Sequence, residues 1–319
     1  MPRIRLTEKA FPPPGRLIDV GACSLHIRQT GAGLPTVVLE AGIGATSLSW
    51  ALVEPALSKT TSVFSYDRAG LGWSGPAVTP RIPSVIAGEL KRALECAKAV
   101  PPYVLVGHSF GGLVVQRFAL DYPELVKGVV LVDPLSPFEW QPLDREKSRR
   151  LALGVALSRR GAVLARLGIV GGALGFLLSG NRLIPKIAAR LGGGSGGTIV
   201  TDRLAGEIRK LPRELWPSIA FHWSQPKNFE GMAQHLEMLP ESSKELAEMA
   251  AGIRAPVTLI VAERAVAGDV PPGWKLIRAE GSGHWVQLDR PDLVIDAVKE
   301  MAGVPDGPTS PGQRGNGGG

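Results

Sequence analysis

Cysteine is scarce in this chain of 319 residues, which has only Cys23 and Cys96. Their separation fits neither a zinc-ligand nor a redox motif, and two cysteines are too few for a fold built on disulfides. A reduced, cytoplasmic chain is therefore the expectation. The first residues, 1–5, are basic, but no apolar stretch follows them, so the sequence predicts no secretory signal.

Long apolar runs are also missing. The longest charge-free apolar stretch covers residues 167–181 and is rich in glycine. It is shorter than the ~20 residues that cross a bilayer, so no membrane-spanning helix is predicted. The net charge of +7 is compatible with an anionic partner. Because the sequence has no basic module interleaved with stacking aromatic residues, we expect no nucleic-acid partner.

Strand and helix patterns alternate in two separate parts of the chain, which predicts an α/β fold. The central sheet should be mostly parallel and covered by helices on both faces. A single domain with an insertion fits this length better than two equal domains. The predicted strands lie within residues 17–30 (two strands), 36–40, 62–66, 103–106, 127–132, 256–262 and 274–279.

We divide the chain into four parts on these patterns. Residues 1–16 form an irregular N-terminal arm, and residues 17–134 and 253–302 form the α/β core. Residues 135–252 read as a helical cap or lid inserted between the sixth and seventh strands. Such an insert lies above the carboxyl ends of the strands, where open α/β sheets bind ligands. The glycine- and proline-rich tail, residues 303–319, is predicted to be disordered.

A nucleophile elbow is indicated by residues 103–115, where an apolar strand meets a Gly-x-Ser-x-Gly pentapeptide at residues 107–111 and a helix follows. The two flanking glycines allow a turn too tight for side chains, which would place the hydroxyl of Ser109 at its tip. An oxyanion hole needs two N–H donors. We assign these to Phe110, directly after the serine, and to Ile43, in the small-residue loop after the third strand.

A serine nucleophile needs a base, and the chain has five histidines. His284 lies in a loop between the last strand and the last helix, at the same sheet edge as the elbow, and it is the predicted base. His26 belongs to the early strand region, and His222 and His235 lie in the insert. His108 adjoins the serine, but we expect the sharp turn to aim its side chain elsewhere.

Three carboxylates are open as the acid that orients this base. Asp133 stands directly at the carboxyl end of the sixth strand, where it can reach a histidine at that edge. Glu263 follows the seventh strand very closely, and Asp269 lies several residues further on. We favour Asp133 and keep Asp269 and Glu263 as alternatives. An aspartate before proline can also serve simply as a turn former.

Taken together, these motifs resemble the α/β-hydrolase superfamily over residues 17–134 and 255–302. Some members, such as certain haloalkane dehalogenases, carry the acid after the strand that follows the elbow, which supports Asp133. Dehalogenases and epoxide hydrolases use an aspartate nucleophile, so Ser109 argues against both activities. The resemblance also implies that residues 67–68 brace a loop. The motifs that carry it are residues 41–44, 67–74, 107–112, 132–134 and 283–291.

The insert is locally basic, with ten Lys and Arg against two acidic residues between Asp144 and Arg190. We expect a helical lid with its apolar face over the pocket and its basic face in water. The alternative is weak contact of this basic cap with an anionic membrane. Apolar side chains of the insert suggest a substrate with an apolar portion; they are Phe176, Trp216, Phe221, Trp223, Phe229 and Met232.

The resulting hypothesis is a cofactor-free serine hydrolase that cleaves an ester, thioester or lactone through an acyl-enzyme. Ser109 would attack the carbonyl, His284 would transfer the proton, and the acid would hold the histidine in its productive tautomer. No cofactor or metal motif is recognisable in the sequence. Two alternatives stay open: a carbon–carbon bond hydrolase of the same fold, and a non-catalytic receptor for a small ligand.

Overall fold

Eight strands form the sheet of this protein, for which a computed structural model describes residues 9–138, 140–178, 209–247, 252–264 and 270–304. The strands follow the spatial order β1-β2-β4-β3-β5-β6-β7-β8. Their bounds are β1 Arg16–Asp19, β2 Ser24–Thr30, β3 Thr36–Glu40, β4 Val63–Tyr66, β5 Tyr103–His108, β6 Val126–Val132, β7 Val257–Ala262 and β8 Lys275–Ala279.

Helices occupy most of the connections between these strands. In the described residues they are α1 Glu54–Leu57, α2 Pro83–Cys96, α3 Phe110–Asp121, α4 Arg145–Arg166, α5 Ile169–Leu178, α6 Trp216–Trp223, α7 Pro226–Glu237, α8 Leu239–Ala247, α9 Val286–Asp289 and α10 Pro291–Ala302. Short 3₁₀ turns cover Ser47–Trp50, Pro123–Leu125 and Arg213–Leu215. None of the helices in this part of the chain is both long and apolar enough to span a bilayer.

The sheet is antiparallel at one edge and parallel elsewhere. The pairs β1–β2 and β2–β4 are antiparallel, while every pair from β4 to β8 is parallel. The prediction of a mostly parallel sheet is therefore confirmed. Because parallel strands all end at one edge, the loops after β3, β5, β6 and β8 meet there.

Alternate residues of the central strands enter two separate cores, one on each face of the sheet. Val38, Leu105 and Val129 are fully buried on the face covered by α2 and α3. Their neighbours Val37 and Val104 are equally buried on the face covered by α1 and α10. Burial on both faces explains why these strands read as continuous apolar runs rather than alternating ones.

The described part of the insert between β6 and β7 is helical. Asp144 caps α4 by accepting a hydrogen bond from the backbone N–H of Lys147 at 2.8 Å. Helix α4 packs closely along α7. The approach is close enough that a Cβ added to Gly161 would lie 2.5 Å from the ring of Phe229. A side chain at residue 161 would hold the two helices further apart.

Two expectations from the sequence differ from the structure or lie outside it. The helical spacing of Trp50, Val53 and Leu57 predicts one helix over residues 49–59, but the structure has a 3₁₀ turn at Ser47–Trp50 followed by α1. Pro55 at the start of α1 explains the break, since proline has no N–H to continue a helix. The predicted disordered tail beyond Val304 lies outside the described residues.

Candidate active site

The turn between β5 and α3 is a strained strand-to-helix elbow with Ser109 at its tip. Ser109 adopts φ 53° and ψ −121°, a positive φ that is uncommon for residues other than glycine. A Cβ on Gly107 would lie 2.6 Å from the carbonyl oxygen of Gly111, and one on Gly111 would lie 2.5 Å from that of Glu40. The glycines are therefore required because backbone passes within contact distance on both sides of the serine.

Three side chains from separate loops form a continuous hydrogen-bond chain at this edge of the sheet. Nδ1 of His284 lies 2.6 Å from Oδ2 of Asp133, and Nε2 of His284 lies 3.1 Å from Oγ of Ser109. A carboxylate accepts a proton donor at Nδ1, which leaves Nε2 free to accept from the serine hydroxyl. The side chain of His284 is 52% exposed, so the base lies at an open face of the site.

Asp133 is fixed by the seventh strand as well as by its own. Its backbone N–H donates to the carbonyl of Ile260 at 2.7 Å, and its Oδ1 accepts from the N–H of Ala262 at 2.9 Å. The backbone turns sharply here, with φ 39°. Two strand-end contacts therefore aim the second carboxylate oxygen at the histidine.

The structure separates Glu263 from this chain of hydrogen bonds. Glu263 is exposed, and its backbone carbonyl accepts from the guanidinium of Arg278 at 3.1 Å. Among the described residues, Asp133 and not Glu263 is the carboxylate in contact with His284. Asp269 lies outside the described residues.

The loop after β3 lies directly against the serine. A Cβ on Gly42 would be 3.3 Å from Cβ of Ser109, so only glycine allows this approach without a shift. Ile43 follows in that loop, and Phe110 begins α3, where the first N–H groups have no partner within the helix. Both predicted oxyanion donors therefore belong to backbone beside the hydroxyl, and their role stays a prediction.

Buried charges brace the loop after β3 from below. The guanidinium of Arg68 donates to Oε1 of Glu40 at 2.5 Å, to the carbonyl oxygen of Ala41 at 2.6 Å and to that of Gly42. Tyr66 donates to the second oxygen of Glu40. Burial raises the pKa of Glu40 above its ordinary value, although Arg68 counteracts the shift. The arginine thus holds the carbonyls of the loop, as the resemblance implies.

Asp67 ties the next loop to the sheet. Its carboxylate accepts from the N–H of Ser47 at 2.7 Å and from the N–H of Trp73 at 3.0 Å, and it meets Nδ1 of His26 at 3.0 Å. Burial alone would raise the pKa of Asp67, but the contact with His26 and these N–H donors keep it below its ordinary value. Asp67 therefore acts as a structural anion.

The expectation that the turn aims His108 away from the site is wrong. The ring of His108 is buried beside the ring of His284, with centroids 4.8 Å apart, and its Nε2 donates to the backbone carbonyl of His284 at 2.9 Å. Burial, together with the neighbouring His284, lowers the pKa of His108 to about 3. The alternation of β5 places His108 on the same face as Val104 and Val106, the face on which Val286 and α10 also pack.

An apolar pocket opens beside the loop after β3. It encloses about 60 Å³ and is lined on one side by Ile43 and Trp285, which flank the oxyanion loop and the base. The insert contributes Ile219, His222 and Trp223 to the lining of this pocket. Of the apolar residues singled out in the insert, Trp223 therefore faces the pocket, whereas the side chain of Phe176 lies outside the described residues.

No metal site is apparent in the described ranges, because no group of three or more His, Cys, Asp or Glu is arranged to hold a metal there. The functional contact that sequence reasoning missed is that of His108 with the loop of the base. Strand alternation indicates that His108 shares a face with Val104 and Val106, but the sequence does not give the position of the loop of the base against that face.

Part of this chain is similar in sequence to known proteins of one fold family. The model of a family described as "alpha/beta hydrolase fold" matches residues 35–153. An "AB hydrolase superfamily protein" of Gibberella zeae is 39% identical over 97 residues, 30% of either chain. A Klebsiella pneumoniae protein whose name provisionally assigns it as a carbamate hydrolase, RutD, is 38% identical over 102 residues, 32% of this chain and 38% of its own.

Solved structures extend the similarity to the whole fold. The structure of an epoxide hydrolase, CorEH, superposes with a TM-score of 0.66 at 18% identity, covering 90% of this chain and 97% of its own. This chain thus has the α/β-hydrolase fold, and the family model covers its residues 35–153. The alignments cover 19% to 53% of the length of the first curated relatives, so their sequence similarity is confined to part of each protein.

Proposed function

We propose that this protein is a serine hydrolase that cleaves an ester, thioester or lactone with an apolar acyl portion. The observation that carries the proposal is the hydrogen-bond chain from Ser109 through His284 to Asp133, with distances of 3.1 and 2.6 Å. That arrangement supplies a nucleophile, a base and an orienting acid within reach of one another. The adjacent backbone of Ile43 and Phe110 supports a site for the oxyanion.

In the proposed reaction, Oγ of Ser109 attacks the acyl carbon while Nε2 of His284 takes the hydroxyl proton. The negative charge on the former carbonyl oxygen is held by the N–H groups of Ile43 and Phe110. Collapse of the intermediate expels the leaving group, which takes the proton from His284, and an acyl-enzyme remains. Water then repeats the sequence with the same base, releasing the acid and restoring the serine.

The pocket beside the hydrogen-bond chain of Ser109, His284 and Asp133 favours a small acyl group. Its volume of about 60 Å³ is far below the ~300–1,000 Å³ of pockets that enclose whole drug-sized ligands. This volume favours a short apolar group beside Ile43 and Trp223. A carbamate offers the same kind of acyl carbon as an ester, so the name of the Klebsiella relative makes carbamates a second substrate class to test.

The test is release of p-nitrophenol from acetate, butyrate and octanoate esters and from an N-butylcarbamate. The natural chain is compared with Ser109→Ala, Asp133→Asn and Glu263→Gln. We expect the first variant to lose turnover and the second to lose about 10²–10⁴-fold in kcat. Glu263→Gln is the matched control, an exposed carboxylate removed near the same edge, and its kcat should stay within about 2-fold.

Different results would contradict the proposed acyl specificity and the assignment of the acid. Turnover of the octanoate that exceeds that of the butyrate would contradict the short acyl pocket, but not the triad. Loss of turnover in Glu263→Gln with full turnover in Asp133→Asn would assign the role of the orienting acid to Glu263 instead of Asp133. A folded natural protein that hydrolyses none of the four compounds and takes no label from a fluorophosphonate would refute the hydrolase proposal.

A further inference from the structure

Helix α4 carries apolar residues on two opposite faces. The inner face, which includes Leu151, Ala162 and Ala165, is buried, and Leu151 belongs to a cluster with Phe110 of α3 and Leu239 of α8. Close packing on α7 is allowed by two glycines, since a Cβ on Gly154 would lie 3.2 Å from Leu236 and one on Gly161 would meet Phe229. The inner face therefore already has its partner.

The opposite face is exposed and follows helical spacing. We name it the outer stripe of α4, and it consists of Arg145, Arg149, Leu153, Ala156, Arg160, Val163, Leu164 and Leu167. Steps of three or four residues place all of them on one side of the helix. Leu153 is 53% exposed, Val163 51% and Leu167 68%. Several large apolar side chains on one free helix face are unusual for a surface in contact with water only.

Positive charge accompanies this apolar stripe. In the described part of the chain, Arg145, Arg149 and Arg160 have no ion-pair partner. Arginines at the border of the stripe differ in this respect, because Arg159 pairs with Glu237 and Arg166 with Glu230, both on α7. The border cations are therefore neutralised by the helix beneath, while the three on the stripe are available to an anion outside the molecule.

We propose that the outer stripe of α4 docks the protein on an anionic lipid surface. An amphipathic helix with leucines and unpaired arginines on one face lies in the plane of such a surface, its apolar side chains among the acyl chains and its guanidiniums at the headgroups. Anionic headgroups match the three unpaired charges. Bases of a nucleic acid would need stacking aromatic side chains, and the stripe contains only arginine and aliphatic residues.

Co-sedimentation with vesicles tests the proposal on the full chain, independently of any catalytic activity. Vesicles of phosphatidylcholine alone are compared with vesicles that contain about a quarter phosphatidylglycerol. We expect binding only to the anionic vesicles. The triple variant R145Q/R149Q/R160Q should weaken the partition coefficient by about 100-fold, and L153Q/L167Q should weaken it by about 10-fold or more.

The matched control removes three exposed cations elsewhere, K59Q/R92Q/R254Q, with the same change in net charge. Native-like binding by this control supports a local site, whereas an equal loss in both triple variants shows a net-charge effect and overturns the proposal. Absence of binding to anionic vesicles also overturns it. A concentration-dependent dimer of the natural chain that dissociates in L153Q/L167Q would assign the stripe to a second copy instead.

A second inference comes from the buried contacts of His108 and rests on the proposed function. We infer that His108 is a positioning residue for His284. Its Nε2 donates to the backbone carbonyl of His284 at 2.9 Å, and its ring packs against the rings of His284 and Trp285 with centroids 4.8 and 5.0 Å apart. On the other side, its Nδ1 faces Gly42, where an added Cβ would lie 3.0 Å away.

These contacts connect three loops through one neutral ring. Since His108 immediately precedes Ser109, its hydrogen bond fixes the loop of the base relative to the nucleophile, and its packing fixes the oxyanion loop relative to both. The low pKa of His108 keeps its ring uncharged. A proton on His284 is therefore not repelled by a second positive charge beside it. The function of His108 is therefore to set the distance that proton transfer requires.

The test compares His108→Leu, which removes the donor at similar volume, with His108→Gln, whose amide nitrogen can replace Nε2. On p-nitrophenyl butyrate we expect kcat to fall about 10–100-fold in the leucine variant with KM within about 2-fold, and the glutamine variant to recover most of kcat. Hydrogen exchange of residues 282–286 should accelerate in His108→Leu only, a readout that does not need turnover.

Equal kcat in the natural chain and His108→Leu, with unchanged exchange of that loop, would overturn the positioning role. So would a glutamine variant as slow as the leucine variant. A natural chain without esterase activity would refute the proposed function instead, and the exchange measurement would still decide whether His108 holds the loop.

Discussion

Helix α6 carries a buried histidine whose removal should change how stability depends on pH. His222 is 3% exposed, and neither ring nitrogen has a hydrogen-bond partner among the described residues. Its ring meets that of Trp73 nearly perpendicularly, with centroids 4.2 Å apart. Burial is the main cause that lowers the pKa of His222 from 6.5 to about 4, and the carboxylate of Asp67 partly counteracts it.

The sign and size of the effect follow from proton linkage. Between about pH 6.5 and 4, the unfolded chain binds a proton at His222 and the folded chain does not, so the free energy of unfolding falls as the pH falls through this window. From about pH 7.5 to about pH 5.5 the loss from this one group is on the order of 1 kcal/mol. His222→Phe keeps an aromatic edge toward Trp73 and removes the titration.

The measurement is urea unfolding followed by tryptophan fluorescence at about pH 7.5, 6.5 and 5.5. The difference in free energy of unfolding, natural chain minus His222→Phe, should fall by about 1 kcal/mol over this range. Ile219→Val, one turn earlier on α6, is the control and should destabilise by ~1 kcal/mol at every pH. If the difference in free energy of unfolding between the natural chain and His222→Phe is independent of pH, the inference that His222 is buried as a neutral imidazole is refuted.

Further predictions concern the loop after β3 and two glycines. Arg68→Met should lower the free energy of unfolding by ~3–5 kcal/mol in urea titrations, because it leaves Glu40 buried without its cation; a loss below ~1 kcal/mol would contradict the brace. Gly111→Ala should abolish both folding yield and fluorophosphonate labelling, since its Cβ would lie 2.5 Å from a backbone oxygen, and normal labelling would contradict this geometry. Gly88→Ala on α2, with open space at its Cβ, should instead raise the free energy of unfolding by ~1 kcal/mol.

The sequence predicts those features that depend on local pattern and on topology. Apolar runs identify the central strands, and because parallel strands end at one edge, the order of the chain brings Asp133 and His284 to the same side as Ser109. Glycines at residues 107 and 111 predict the tight elbow because their need is steric and local. The roles of these side chains in a reaction stay a proposal.

Features that depend on packing between distant segments could not be predicted. The helix expected over residues 49–59 breaks because Pro55 begins a separate turn, although Trp50 and Leu57 still reach the core that the periodicity indicated. The contact of His108 depends on the position of a loop 176 residues away. No pattern in one sequence records such a contact.

Exposure divides the site into two unlike sides, and this division bears on the proposed reaction. The apolar pocket lies toward Ile43 and Trp223, whereas the ring of His284, which would protonate the leaving group, is half exposed. The acyl group should therefore occupy the pocket, and the alcohol should leave toward solvent. Lengthening the alcohol of a butyrate ester from methyl to octyl should change kcat/KM by less than about 5-fold, while the same lengthening of the acyl chain should lower it by more than about 50-fold. The reverse ranking, measured by titration of the released acid, would place the leaving group in the pocket and reverse the orientation of the substrate.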